Sequence, residues 1–156
     1  MSEWKEYRLG ELITTNRKSI DNNYPFLDIV YLDTGSITTN KIAELQEFEL
    51  QKAPSRAKRL ICDEDIIYST VRPNQLHYGF IKNPQDNLVV STGFVTITCE
   101  KDKICPKFLF YNLTQNQTTE YLHSIAEAST SAYPSLKVRK FRHLYSRLFC
   151  RASLLL

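Results

Sequence analysis

The chain places its strand-forming segments before its helix-forming segments, and this order most restricts the folds it can adopt. Stretches rich in β-branched and alternating apolar residues come first: PFLDIVYLD (25–33), DIIYSTV (65–71) and LVVSTGFVTITC (88–99). Stretches with helical apolar spacing follow, namely PKFLFYNLTQ (106–115) and TTEYLHSIA (118–126). Strands followed by helices are typical of the α+β class. We therefore predict one mixed α+β domain with a twisted β-sheet and flanking helices.

Proline and glycine residues set the limits of the predicted strands. Pro73 ends the strand at 65–71, because proline cannot donate a hydrogen bond to a sheet ladder. Gly93 divides the segment 88–99 into two strands, or bends one strand as a bulge. Pro106 stands at the first position of a predicted helix, where its missing N–H group costs nothing.

Three other segments have weaker patterns. WKEYRLGELI (4–13) has apolar residues at helical spacing, which predicts a short N-terminal helix. The polar stretch 46–60 has no clear period and predicts a loop or a frayed helix. STSAYPSLKVRKF (129–141) predicts a loop followed by a strand.

Length and composition indicate a single globular domain. The chain has 156 residues, of which 42% are hydrophobic. No apolar run reaches the roughly 18–20 residues that span a bilayer, and the N-terminus lacks the apolar core of a signal peptide. We therefore expect a cytoplasmic protein with no membrane partner. The four cysteines form no CxxC pair, and the three histidines stand at no zinc-ligand spacing, so neither a metal nor another cofactor is predicted.

Common catalytic motifs are missing from the sequence. Its four glycines are widely spaced, which excludes a GxGxxG-type turn, and it has no GxSxG nucleophile elbow. The three consecutive acids Asp63, Glu64 and Asp65 are the set that best suits a small metal-dependent nuclease. Adjacent acids at the start of a strand more commonly solvate a turn, so the nuclease is kept as an alternative. No catalytic residue is assigned.

Positive charge is concentrated in the C-terminal part of the chain. The net charge is +3, but six basic residues and no acidic residue follow Glu127. The overall charge therefore does not argue by itself for a nucleic-acid partner.

The stretch APSRAKRLICDEDIIYSTVRPNQLHYGF (53–80) has the side-chain types of a DNA-binding surface. Cations that can neutralise phosphates are Arg56, Lys58 and Arg59. Hydroxyl groups that can donate to phosphate oxygens are Ser55, Ser69 and Thr70. Side chains that can read base edges in the major groove are Arg72, Asn74, Gln75 and His77. A solvated loop of mixed charge beside a strand explains the same residues, so chemistry alone leaves both interpretations open.

Four segments together add a family resemblance to this chemistry. PSRAKRLICDEDIIYSTVRP (54–73), WKEYRLGEL (4–12), VVSTGFVTI (89–97) and STSAYPSLKVRKF (129–141) occur in a characteristic order. They resemble, respectively, the basic loop and strand, the opening, the central strand pair and the late polar loop of one domain. That domain is the target recognition domain of the specificity subunits of type I restriction–modification systems. The resemblance covers nearly the whole chain up to Phe141.

The resemblance implies a DNA-binding module without catalysis of its own, acting in defence against phage. Its implied partners are double-stranded DNA, the methyltransferase (modification) subunits and, through them, the restriction subunit. A second copy of the chain or a second specificity half is a further implied partner. In the late polar loop, Tyr133 and Lys137 would contact backbone phosphates.

Two departures from the family pattern bear on the domain limits. The turn at 63–65 has acids where the family commonly has a glycine, so an Asp-tolerated turn is expected there. The segment FRHLYSRLFCRASLLL (141–156) lacks the family's PLP…EQ-like step into a long helix. We therefore expect a recognition domain at 1–141 and an atypical basic tail at 142–156, from a truncated or frameshifted spacer. For the tail, the alternative is a natural terminal helix. For the domain, an alternative to DNA binding is an interaction domain without DNA affinity.

Overall fold

The structure is a computed structural model that describes residues 4–129, 132, 134–143 and 145–151. Strands in the first half of these ranges are β1 (Trp4–Arg8), β2 (Ile13–Thr15), β3 (Asp28–Leu32), β4 (Ile37–Thr38), β5 (Lys41–Ile42), β6 (Gln46–Glu49) and β7 (Ala57–Leu60). The later strands are β8 (Ile66–Ser69), β9 (Tyr78–Phe80), β10 (Leu88–Ser91), β11 (Phe94–Cys99) and β12 (Tyr145–Arg151).

Helices are fewer and mostly follow the strands. They are α1 (Leu9–Leu12), α2 (Pro106–Leu113), α3 (Asn116–Glu127) and α4 (Val138–Arg142). Short 3-10 turns occur at Thr34–Ser36, Leu50–Lys52 and Pro73–Gln75. Among the residues described, no helix is both long and apolar enough to cross a membrane.

The strands form two four-stranded sheets and two separate pairs. The first sheet has the order β6-β3-β10-β7 and the second sheet has the order β2-β11-β8-β9. Neighbouring strands are antiparallel, except that β10 runs parallel to β3. β4 pairs with β5 as a hairpin, and β1 pairs with β12. Because β10 and β11 lie in different sheets, the turn at 92–93 crosses from one sheet to the other.

Alternation along the strands builds a layered core, because successive side chains of a strand point to opposite faces. In β8, Ile66 and Tyr68 pack with the helices, whereas Ile67 packs with residues of the first sheet. In β3, Val30 and Leu32 join that same central cluster, and the alternate residues face outward to a third cluster. The helices, the second sheet and the first sheet therefore stack as successive layers.

The predicted fold class is confirmed, and the structure corrects several segments. The stretch 46–60 is not a loop or frayed helix: it contains β6, a 3-10 turn and β7. The N-terminal segment begins as strand β1, and only its last four residues before β2 are helical. The segment 138–142 is helix α4 rather than a strand. Tertiary pairing decides these short pieces, because their own periodicity is too brief to specify a structure.

The C-terminal part also differs from expectation. Instead of a terminal helix, residues 145–151 form β12, which pairs antiparallel with β1. The two ends of the described chain therefore lie side by side.

Candidate nucleic-acid interface

The chain leaves β8 through a tight turn that exposes three of the polar side chains named above. Arg72 has a left-handed backbone conformation with φ of 45°, and the N–H of Gln75 donates to the Arg72 carbonyl at 3.0 Å. Such a conformation costs a non-glycine residue about 1–2 kcal/mol. Pro73 is buried, whereas Arg72, Asn74 and Gln75 are exposed. A buried proline thus anchors a strained turn with a polar outer surface.

A segment distant in sequence, 134–137, holds the start of this turn. The N–H of Arg72 donates to the Pro134 carbonyl at 2.9 Å, and the N–H of Leu136 donates to the Thr70 carbonyl at 2.7 Å. Leu136 is buried in the core against the helices. The pairing compensates the strain at Arg72, because it gives the backbone of the turn its hydrogen bonds. It also brings the late polar loop of the sequence beside Arg72.

The turn that crosses between the two sheets joins the Arg72 turn to the basic loop. The N–H of Thr92 donates to the Arg56 carbonyl at 2.9 Å. On its other side, the Gly93 carbonyl accepts from the N–H of Thr70 at 3.0 Å and from its hydroxyl at 3.1 Å. The basic loop and the Arg72 turn are therefore neighbours on one end of the molecule.

Gly93 also allows the close approach of the turn that contains Gly35. A Cβ atom at Gly93 would lie 2.8 Å from Cγ2 of Thr34, which is closer than real Cβ contacts. The 3-10 turn Thr34–Ser36 therefore approaches the crossing turn closely. Beside it, the Tyr31 hydroxyl donates to Oδ1 of Asp33 at 3.0 Å. Burial and Asp33 raise the pKa of Tyr31, while the hydrogen bond with Ser91 and, more weakly, Arg56 oppose this shift.

The basic loop presents its cations unequally. Ser55, Arg56 and Lys58 are exposed, but Arg59 is half-buried on strand β7. Burial lowers the pKa of the Arg59 guanidinium. Its Nε is buried without a hydrogen-bond partner among the residues described. Arg56 and Lys58 are thus better placed than Arg59 to contact a phosphate.

His77 is fixed by the hairpin formed by β4 and β5. Its Nδ1 lies 2.6 Å from the Ile37 carbonyl and 3.3 Å from the Thr38 hydroxyl. A carbonyl can only accept a hydrogen bond, so Nδ1 carries the hydrogen and Nε2 of the neutral ring is an acceptor. No described residue bonds to Nε2. The half-buried ring therefore offers one defined acceptor.

The three consecutive acids lie at the other end of β8 and are held by different partners. Asp65 is 3% exposed, and its two carboxylate oxygens accept from the Cys62 N–H and the Thr98 hydroxyl, each at 2.8 Å. Burial raises the pKa of Asp65. Lys82 approaches Asp63 at 3.3 Å, and Lys101 approaches Glu64 at 2.5 Å.

These contacts bear on the nuclease alternative. The N–H of Asn83 and the Lys82 ammonium lower the pKa of Asp63, and Lys101 lowers the pKa of Glu64. Within the described ranges, no group of three or more His, Cys, Asp or Glu side chains is arranged to hold a metal ion. The acids serve the turn and its ion pairs, and nothing in their geometry favours a nuclease.

Comparison with known proteins shows a relative that matches most of this chain. No protein-family model matches the chain. A type I restriction enzyme HindI specificity subunit from Haemophilus influenzae (strain ATCC 51907 / DSM 11121 / KW20 / Rd) is 38% identical over 137 residues, which is 87% of this chain. This chain is a homologue of type I restriction enzyme specificity subunits.

Solved structures agree with that relationship. The HsdS subunit from Thermoanaerobacter tengcongensis superposes with a TM-score of 0.77 at 28% identity, over 91% of this chain and 37% of that one. A structure described as the basis of complex assembly and conformational transition of the type I R-M system gives a TM-score of 0.75 at 27% identity, over 95% of this chain and 36% of that one. This specificity-subunit homologue spans only 29% of the length of its Haemophilus relative.

Most residues expected to contact DNA in this specificity-subunit homologue are on one end of the fold. Exposed members of that set are Ser55, Arg56, Lys58, Arg72, Asn74, Gln75 and Lys137. Tyr133 lies outside the residues that the structure describes. We name the surface formed by the basic loop (54–58), the Arg72 turn (72–77) and the segment 134–137 the recognition face.

Two hydroxyl groups of the predicted set are engaged inside the protein. Ser69 is 2% exposed, and its hydroxyl donates to the Val71 carbonyl at 2.9 Å. The Thr70 hydroxyl donates to Gly93, as described above. A hydroxyl has a single proton to donate. Both side chains therefore stabilise the exit of β8, and neither has a proton left for a phosphate in this conformation.

The turn 34–36 and the hairpin 37–42 agree with the turn and short extended piece that this segment predicts, but sequence reasoning did not assign them to this end of the molecule. Their signal was the run TGSITTN (34–40), which is rich in residues that favour turns. Such a run predicts a turn but not its neighbours. Only the folded chain brings it against His77 and Gly93.

Proposed function

We propose that this chain is a DNA target recognition domain that reads part of a duplex site for a type I restriction–modification system. The observation that carries the proposal is the recognition face itself. Two exposed arginines, Arg56 and Arg72, are brought to one end of a fold shared with specificity subunits. At the opposite end of β8, Asp63 and Glu64 are held in ion pairs with lysines.

Phosphate contacts would come from the exposed cations of the recognition face. Arg56 and Lys58 of the basic loop and Lys137 of the later segment are positioned for this role, with Ser55 as a hydroxyl donor. Such contacts set the orientation on the duplex and carry no sequence information.

Base reading would come from the Arg72 turn. Arg72 suits a bidentate contact to guanine, and Asn74 and Gln75 suit adenine. The acceptor Nε2 of His77 suits an exocyclic amino group of adenine or cytosine, which is a donor in the major groove. The strained, proline-anchored backbone limits the motion of these side chains and so reduces the entropy lost on binding.

The chain itself would be non-catalytic. We propose that residues 1–141 are the recognition domain, with strand β12 of the following segment paired to its strand β1. Methylation and cleavage would belong to the methyltransferase subunits and to the restriction subunit bound through them, in the cytoplasm. A second specificity half, from another chain or a second copy of this one, would read the rest of a split site.

The test is salt-dependent binding to duplex DNA. A preferred site is first selected from a random duplex library with the full chain, and affinity is then measured by fluorescence anisotropy at salt concentrations from about 50 to about 200 mM. We expect log K to fall linearly with log salt. Arg56→Ala should make the slope shallower by about 0.9, the value for one lost phosphate contact.

Arg72→Ala has a different expected effect. It should weaken binding to the selected site by about 1–3 kcal/mol and relax specificity at one position. Lys107→Ala is the matched control, because Lys107 is an exposed cation on α2, outside the three segments that form the recognition face. Binding that ignores salt and both arginine substitutions would contradict the proposal.

A further inference from the structure

The hairpin β4–β5 has a strained tip that lies against the Arg72 turn. Its two tip residues, Thr39 and Asn40, have φ of 45° and 63°. Asparagine tolerates this region, but a β-branched threonine there is an outlier. The N–H of Thr39 donates to the Leu76 carbonyl at 2.9 Å, and the N–H of Asn40 donates to the Tyr78 carbonyl at 3.0 Å. The base-reading turn and the hairpin tip are thus one hydrogen-bonded unit.

Close packing fixes the hairpin from beneath. A Cβ atom on Gly79 would lie 2.5 Å from Cδ1 of Ile37, so a larger residue at position 79 would have to displace this buried side chain. Ile37 is 2% exposed and belongs to the core between the sheets. The hairpin therefore has one defined position relative to the turn.

The register of the hairpin determines which side chains share a face with His77. Thr38 pairs directly with Lys41, and directly paired residues of an antiparallel pair project from the same face. Because the Thr38 hydroxyl lies 3.3 Å from Nδ1 of His77, this shared face is the one beside His77. Lys41 thus projects next to the side chains proposed to read bases.

Lys41 is exposed and has no ion-pair partner among the residues described. Three of the other lysines, Lys52, Lys82 and Lys101, each hold a carboxylate. An exposed cation without a carboxylate, on a rigid element beside base-reading side chains, has the properties of a phosphate contact.

We propose that the hairpin is a further DNA-binding element, in which Lys41 binds a backbone phosphate and the rigid tip sets the register of the Arg72 turn on the duplex. This inference rests on the proposed function. It adds a contact from residues 38–41, outside the stretch 53–80 that the sequence indicated.

The experiment compares wild-type protein with Lys41→Ala, Lys41→Arg and the control Lys107→Ala on the selected duplex. Lys41→Ala should make the slope of log K against log salt shallower by about 0.9. The loss of affinity between about 50 and 200 mM salt should accordingly be about 3.5-fold smaller than for wild type. Lys41→Arg should restore the wild-type slope, because the charge is kept. Lys107→Ala should leave the slope unchanged.

Other outcomes separate the two proposals. If wild type binds with a steep slope and Lys41→Ala keeps that slope, the hairpin contact is wrong and the recognition face stands. If wild type shows no salt-dependent binding at all, the proposed function fails and this inference fails with it. Circular dichroism of each variant establishes that a changed slope does not come from unfolding.

Discussion

Side chains at the two ends of β8 differ in exposure and in role. At one end, Arg72 is held in a left-handed conformation and its side chain is exposed at the surface. At the other end, Asp65 is buried and its oxygens are satisfied within the turn it stabilises. The three acids looked alike in the sequence, but burial separates Asp65 from Asp63, which is exposed and ion-paired.

This separation predicts opposite pH dependences. Burial raises the pKa of Asp65 in the folded protein. Its contribution to stability is therefore greatest below the unfolded carboxyl pKa of about 3.9 and is lost as pH rises through the folded pKa. We expect Asp65→Asn to gain stability relative to wild type as pH rises across that window, measured by urea unfolding at a series of pH values.

Asp63→Asn is the matched control with the opposite sign. The pKa of Asp63 is lowered, so its contribution is present above the unfolded pKa and is lost as pH falls through the folded pKa. Asp63→Asn should therefore lose stability relative to wild type as pH rises. Equal pH dependence of the two variants would contradict the assignment of Asp65 as the buried member.

Among the secondary-structure elements, the short hairpin β4–β5 has the largest consequence for the site. Two residues per strand would not be stable alone. It persists because its backbone bonds to the Arg72 turn, its Ile37 side chain enters the core, and the Asn40 side chain accepts from the N–H of Phe80 at 2.8 Å.

Substitutions at Asn40 should separate these contributions. Asn40→Gly keeps the left-handed backbone available but removes the acceptor for Phe80, so we expect a loss of about 1 kcal/mol in unfolding free energy. Asn40→Ala adds the left-handed penalty of about 1–2 kcal/mol. Urea denaturation measures both values. Equal stability of the Ala and Gly variants would mean that the hairpin tip is not held as described.

Across the entire molecule, the layers of helices and sheets enclose three hydrophobic clusters among the described residues. Cys99, at the end of β11, is 7% exposed and packs in the cluster that joins the helices to the second sheet. Burial raises the pKa of its thiol to about 12. Cys62 and Cys105 are exposed.

Thiol labelling of Cys99 should therefore report the global unfolding of the protein. Because thiolate is the reactive form, Cys99 should resist iodoacetamide at neutral pH in the native protein, while Cys62 and Cys105 react. With added urea, labelling of Cys99 should rise together with loss of the circular dichroism signal. Peptide mass spectrometry distinguishes the sites. Labelling of Cys99 at the native rate of Cys62 would show that this layer opens locally.

Much of the organisation could be predicted from local patterns. Helices α2 and α3 could be predicted because their apolar residues recur at helical spacing. These residues bury one face of each helix on the second sheet. Strands β8, β10 and β11 were indicated by their β-branched residues. The N-terminal strand β1 and strands β6 and β7 were missed, because each is short, polar and stabilised by its partner strand.

The sequence by itself determined the α+β class, the family resemblance and which side chains capable of contacting DNA are present in residues 53–80. These properties depend on composition and short-range order. Tertiary structure alone decided which of those side chains are exposed. It buried Ser69 and half of Arg59, locked the ring of His77 through Ile37, and added the hairpin with Lys41. Such selection depends on contacts between residues far apart in the chain, such as Arg72 with Pro134, and no local pattern encodes them.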